Sequence, residues 1–216
     1  MGVSKQLQSE RREANGTRGE GGKQHFLSPR HVDSLPRVVS HALPGVGTRV
    51  VHVFVLGIDP GLSRCGYGCL ESGRRPRAVS AGVIRTDPSI ERPIRLAELQ
   101  REVRELIAEF RPQTVAIERV FFQHNVRTAM TVGMVSGIVM AEAAAAGCDV
   151  AEYSPNEVKQ AVAGWGGADK VQIGQMVQTL LGLSKPLKPA DTADAVAIAL
   201  CHLARQSVGV PGGSRS

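Results

Sequence analysis

Hydrophobic and polar residues fall into regular patterns only after Val51. Before that point, residues 1–49 are rich in Gly, Ser, Arg, Gln and Glu and hold no sustained period. Such a composition buries too little apolar surface to offset chain entropy, so we expect a disordered extension. Two readings of it stay open: a DNA-binding arm, or translation from upstream of a start near Val50 or Val51. Val51 to Ile58 is an apolar run that predicts a buried strand. Cys65 to Glu71 and Arg77 to Arg85 predict two more, and the short links between the three predict an antiparallel meander. Leu96, Leu99, Val103, Leu106, Ile107 and Phe110 recur at helical spacing, which predicts an amphipathic helix over about residues 91–111.

Thr114 to Ile117 reads as a short buried strand ending at Glu118, and Arg127 to Ala146 as a helix crowded with Ala, Gly and Met. Asp149 to Tyr153 predicts another strand. Ser154-Pro155-Asn156-Glu157 has the form of a capping box with proline at the first helical position. Gly164 to Ala168 breaks that helix, and Asp169 caps the next one, through Leu181. A last helix is expected from Asp191 to Arg205, before a Gly/Ser/Pro-rich tail over residues 207–216. This order predicts one α/β domain over residues 51–206, with a mixed sheet (antiparallel meander plus parallel strands) flanked by helices on both faces.

Composition adds little. The 216 residues suffice for one ordinary core. No run approaches the roughly 20 continuous apolar residues of a membrane span, and no compact apolar segment marks a secretory signal, so no membrane partner is expected. Cys65, Cys69, Cys148 and Cys201 form no CxxC pair or zinc-finger spacing. They read as reduced thiols of a cytosolic protein, small buried hydrophobes in kind. Cys65 and Cys69 are expected on one face of a strand without a disulfide. The net charge of +6 suggests a polyanionic partner. However, residues 1–50 hold eight Lys/Arg and four Asp/Glu, leaving 18 and 16 for the rest. Most of the basic excess therefore lies in the least domain-like part.

The acids carry more information. In VFVLGIDPGLSRCGYGCLE, Asp59 ends a strand that is otherwise apolar, and Glu118 ends the fourth strand. Asp191 and Asp194 lie three apart at the start of the last helix, so both can project from one face. Each has a structural reading when taken alone. Asp-Pro-Gly is favourable turn chemistry, Glu118 has Arg119 beside it, and acids suit a helix N-terminus. If strands one and four are neighbours and the last helix abuts their ends, four carboxylates converge and need cations to offset them. An all-oxygen set suits Mg²⁺ or Mn²⁺, and a pair of such ions about 3.5–4 Å apart hydrolyses phosphodiesters.

Three segments, GIDPGLSRCGYG (Gly57 to Gly68), AIERVFFQHN (Ala116 to Asn125) and PADTADAVAIALCH (Pro189 to His202), resemble the signature regions of the RuvC family of Holliday-junction resolvases. Ser154 to Val177 is similar to that family in order and spacing, so the resemblance spans about residues 51–205. It implies an RNase H-like fold, a homodimer, and paired nicking of four-way DNA junctions dependent on Mg²⁺, with Mn²⁺ as substitute. It implies cooperation with the RuvA–RuvB branch-migration machinery and a bacterial cytoplasmic, nucleoid-associated location. Asp59, Glu118, Asp191 and Asp194 match the family's catalytic and metal-binding acids, with Asp59 shared by the two ions. Phe121 matches an aromatic that engages distorted DNA, where base stacking supplies the affinity; core packing is its plainer role. Lys159 and Lys170 match basic positions near the active site, and Arg119 and Arg127 are further candidates for phosphate contact.

Three departures are visible: the extension, Trp165 in a Gly-rich loop, and His202, which we expect to be a helix residue rather than a ligand. Competing readings are an RNase H-like nuclease with another nucleic-acid target, a non-catalytic junction-binding scaffold, and an ATP-binding enzyme of the actin and sugar-kinase type. The last lacks convincing further nucleotide motifs.

Overall fold

The computed structural model describes residues 53–119 and 126–208. The extension at residues 1–49, Phe121 and residues 209–216 lie outside the described residues. The elements run β1 (Phe54–Asp59), β2 (Arg64–Glu71), β3 (Arg77–Arg85), α1 (Arg92–Phe110), β4 (Thr114–Glu118), α2 (Val126–Ala145), β5 (Asp149–Tyr153), α3 (Pro155–Ala163), α4 (Lys170–Leu181) and α5 (Ala190–Val208). The strands form one sheet in the order β3-β2-β1-β4-β5. β1, β2 and β3 make the expected antiparallel meander, while β4 runs parallel to β1 and β5 parallel to β4.

Alternation along the strands builds two cores, because neighbouring side chains point to opposite faces. Leu56, Ile58, Val115 and Ile117 face α1 and α2, together with Leu99, Val103, Val135 and Val139. Val55 and Ala116 face the other way, into a core completed by α3, α4 and α5. Cys65 and Cys69 share the α1/α2 core, as their spacing predicts, and all four cysteines are free. Burial pushes the thiols of Cys65 and Cys69 up to about 12, so both behave as small apolar side chains.

Close approach on the α5 face is decisive for the site. Gly57 and Gly68 pair across β1 and β2, and Gly66 pairs with Asp59. A Cβ at Gly57 would lie 2.2 Å from the Ala195 carbonyl oxygen, and one at Gly66 would lie 2.1 Å from that of Asp191. The strands thus receive the alanine-rich α5 backbone directly, with no side chain between.

One helix adds to the reading that no unbroken apolar run approaches a membrane span. α2 spans 20 residues and holds an 18-residue stretch with a mean hydropathy of 1.4, long and apolar enough by length and composition to cross a membrane. In the fold, Ala129, Val135, Val139 and Ala143 bury one face of it. The sequence reading missed this because it looked for an unbroken apolar run, whereas Arg127 and Glu142 sit near the two ends of this helix.

Candidate active site

Asp59 and Glu118 are the last residues of β1 and β4. Those strands are parallel neighbours, with Ile58 opposite Ile117, so the two acids emerge side by side. Strand alternation puts Asp59 with Val55 and Glu118 with Ala116, on the face that α5 covers. The glycine contacts bring the first turn of α5 over the Asp59–Gly66 pair, which delivers Asp191 and Asp194 to the same place.

A cavity of about 160 Å³ results, lined by Asp59, Glu118 and Asp194 and by Lys159 and Lys170. Two capped helices supply the lysines. Ser154 and Glu157 form the predicted capping box that starts α3, and Asp169 and Gln172 form another that starts α4 at Lys170. A larger hollow of about 620 Å³ lies at the opposite end of the sheet, beside Pro112 and Cys148, and its carboxylate, Glu142, is bonded to Arg104 and Gln100.

Electrostatics set the small cavity apart. The Asp59 carboxyl is raised to about 7, first by burial and then by the charges of Glu118 and Asp194, with Lys170 partly offsetting them. Glu118 is also raised, by burial and then by Asp194, against the pull of Lys170 and Lys159. The acids on the helix have direct partners. Lys170 Nζ donates to Asp194 Oδ2 at 3.0 Å, and Arg64 Nε donates to Asp191 Oδ2 at 2.8 Å while its terminal nitrogen bonds to the same oxygen.

This donor set fits a hard divalent cation, because it is all carboxylate oxygen and two of its members are held under mutual repulsion. Among the described residues, no three Asp, Glu, His or Cys side chains are drawn into a closed metal-binding arrangement. Asp191 and Asp194 are instead turned to separate cations, and Asp194 lines the cavity whereas Asp191 does not.

The remaining predicted site residues fall into place unevenly. Lys159 and Lys170 belong to the cavity wall. The Arg119 side chain reaches the Glu152 carbonyl oxygen at 3.4 Å, and its own amide caps β5 through Tyr153. Arg127 is exposed on the first turn of α2. Trp165 is half exposed and lies against Gly167. His202 is buried, its Nδ1 2.7 Å from the Tyr153 hydroxyl, as expected of a helix residue.

Two arginines escaped the sequence reading. Arg64 opens β2 and holds Asp191, inside a segment whose glycines and aspartate drew attention first. Arg95 is buried and donates to Thr86 Oγ1 at 2.9 Å and Ser63 Oγ at 2.6 Å, while Thr86 Oγ1 donates to the Leu62 carbonyl oxygen. Together they fasten the turn that follows Asp59. A charged residue four positions before Leu99, on the apolar stripe of α1, was a signal that could have found Arg95.

A mixed five-stranded sheet with helices on both faces, and carboxylates gathered where its central parallel strands end, defines the RNase H-like class. The model of the family described as crossover junction endodeoxyribonuclease RuvC matches residues 55–202. A relative of that description from Salinispora arenicola is 52% identical over 164 residues, covering 75% of this chain and 90% of the relative. One from Syntrophomonas wolfei is 47% identical, covering 69% and 87%. The solved structure of Thermus thermophilus RuvC in complex with Holliday junction substrate aligns with a TM-score of 0.70 and 38% identity, over 73% of this chain and 97% of that one. This chain belongs to the RuvC family, the crossover junction endodeoxyribonucleases.

Proposed function

We propose that this protein resolves four-way DNA junctions by paired, symmetric nicks, using divalent cations held by Asp59, Glu118, Asp191 and Asp194. The observation that carries this reading is the meeting of Asp59, Glu118 and Asp194 with Lys159 and Lys170 in one small cavity, in a chain of this family. Bound divalent cations would supply the charge that activates an attacking water and stabilises the leaving oxygen. We assign Mg²⁺ as the working ion and Mn²⁺ as a substitute, from the oxygen donor set. Water attacks phosphorus in line, the P–O3′ bond breaks, and the products are a 5′ phosphate and a 3′ hydroxyl.

The protein's own contribution is placement. Strand ends fix Asp59 and Glu118, the Arg95–Thr86–Ser63 bonds hold the adjoining turn, and Lys159 and Lys170 meet phosphate oxygens. Arg119, Arg127 and Phe121 are proposed as further contacts to the DNA. Resolution needs two cuts, and a two-fold dimer presents two sites to equivalent strands. The exposed face of α2 supports such a dimer: Val126, Met130 and Met134 follow at i, i+4 and i+8 with 68%, 55% and 38% exposure. Gly133 and Gly137 beside them would let another backbone approach. Membership of the family supports cooperation with RuvA–RuvB and residence with the bacterial chromosome in the cytoplasm.

A synthetic mobile four-way junction and a matched linear duplex test the proposal, with and without Mg²⁺. Symmetric nicks on the junction alone, lost without Mg²⁺ and lost in Asp59→Asn, are expected. Faster cutting of a linear RNA–DNA hybrid would overturn junction resolution in favour of another nuclease target. Binding without cuts would leave a scaffold.

A further inference from the structure

We propose that Arg64 is an internal counter-ion that competes with the metal for Asp191 and, once displaced, passes to a phosphate of the bound DNA strand. This rests on the metal-dependent reading above and adds a residue that reading does not contain. Gly66 brings the Asp191 backbone against β2, and Arg64 is two residues along the same strand, hence on the same face. From there its Nε and terminal nitrogen both bond to Asp191 Oδ2. Two charge-assisted bonds converging on one oxygen hold that carboxylate firmly. They also hold it off the cavity, which Asp194 lines and Asp191 does not.

The guanidinium stays charged at any working pH, so it can be removed from Asp191 only by displacement. A divalent cation arriving at Asp191 brings greater charge to the same oxygen and expels it. Where the freed side chain goes is set by its neighbour. Arg64 pairs directly across the strands with Arg85, so both project from one face at the sheet edge. Arg85 is exposed and Arg64 is 45% exposed even while bonded. Two like charges side by side repel unless an anion lies between them, and a phosphate of a DNA backbone supplies such an anion. Metal loading therefore converts Arg64 from a carboxylate partner into a phosphate partner, so that cation uptake and strand grip reinforce each other.

Calorimetric titration of Mn²⁺ into the DNA-free protein tests the first half. Arg64→Gln is expected to bind the ion about tenfold more tightly than the wild type, because one charge-assisted competitor has gone. The second half is read from the salt dependence of binding to a four-way junction, by fluorescence anisotropy in EDTA and in Ca²⁺. The slope of log K against log salt is expected to be unchanged by Arg64→Gln in EDTA and shallower by about one in Ca²⁺. Arg64→Lys should restore the Ca²⁺ slope and, melting like the wild type, shows that folding is not the cause. Unchanged or weaker Mn²⁺ binding in Arg64→Gln overturns the proposal, as does an equal loss of slope in both conditions. A wild type that takes up no Mn²⁺ and cuts no junction would instead overturn the metal-dependent function itself.

Discussion

Asp59 and Glu142 carry the same functional group at opposite ends of the sheet, and their surroundings drive them apart. Glu142 receives both Arg104 nitrogens at 2.8 Å and the Gln100 amide at 2.6 Å, and these bonds hold its carboxyl down at about 2. Asp59 is raised to about 7 by burial and by neighbouring acids. One acid is satisfied by groups on the fold's own helices; the other is left under repulsion that Lys170 offsets only in part. The difference separates a carboxylate that the fold satisfies from one that burial and neighbouring acids leave raised.

The sharpest test of this contrast is Asp59→Asn. Junction cleavage in Mg²⁺ should fall by about a thousandfold or more, of the order seen when a transition-state stabiliser is removed. The metal-free protein should at the same time become more stable. Asp59's folded value lies above its ordinary 3.8, so the ionised carboxylate costs stability that grows as pH rises from 3.8 through about 7. At pH 8 in EDTA, the variant should melt roughly 4 °C higher, the shift that about 1–2 kcal/mol brings in a chain of this size. A variant that melts lower, or cuts normally, breaks the contrast.

Next in size is the pH dependence of cation uptake. Below about pH 7 the metal-free Asp59 carries a proton that a cation must expel. Affinity for Mn²⁺ should therefore fall by up to about tenfold per pH unit as pH drops from 7 to 6, with proton release visible in calorimetry run in two buffers of different ionisation enthalpy. Constant affinity from pH 6 to 8 would remove Asp59 from the metal site.

The smallest effect belongs to the other acid. Arg104 is largely exposed, so its pair with Glu142 is screened by solvent and contributes little. Glu142→Gln should lower the melting temperature by about 2–4 °C at pH 7 and leave cleavage unchanged. Because Glu142 is lowered from 4.5, its contribution is present above that value and fades as pH falls towards about 2, where variant and wild type should converge. A large loss of cleavage would show that the two ends of the sheet are coupled.

Much of this was legible along the chain. β3 and β5 run between the residues that alternation and turn residues indicate, and Ser154 and Asp169 start the helices they were expected to cap. Four acids were also visible: Asp59 and Glu118 because a carboxylate closing an apolar strand is anomalous in one dimension, Asp191 and Asp194 because they lie three apart at the start of a helix. Arg64 was not visible, because 127 residues separate it from Asp191 and a lone exposed arginine has no periodic signature.

Local physics explains that division. Backbone sterics, side-chain alternation and capping act over a few residues, so the sequence by itself determined the elements, their two-sided burial and the identity of the candidate acids. Which acids meet was decided by the tertiary structure. Parallel pairing of β1 with β4 set Asp59 beside Glu118, and the bare backbone at Gly57 and Gly66 let α5 approach closely enough to bring Asp191 and Asp194 to them. The raised carboxyls of Asp59 and Glu118, and the pairing of Asp191 with Arg64 and of Asp194 with Lys170, arise only at that meeting, because desolvation and Coulomb interaction depend on distance in space and not along the chain.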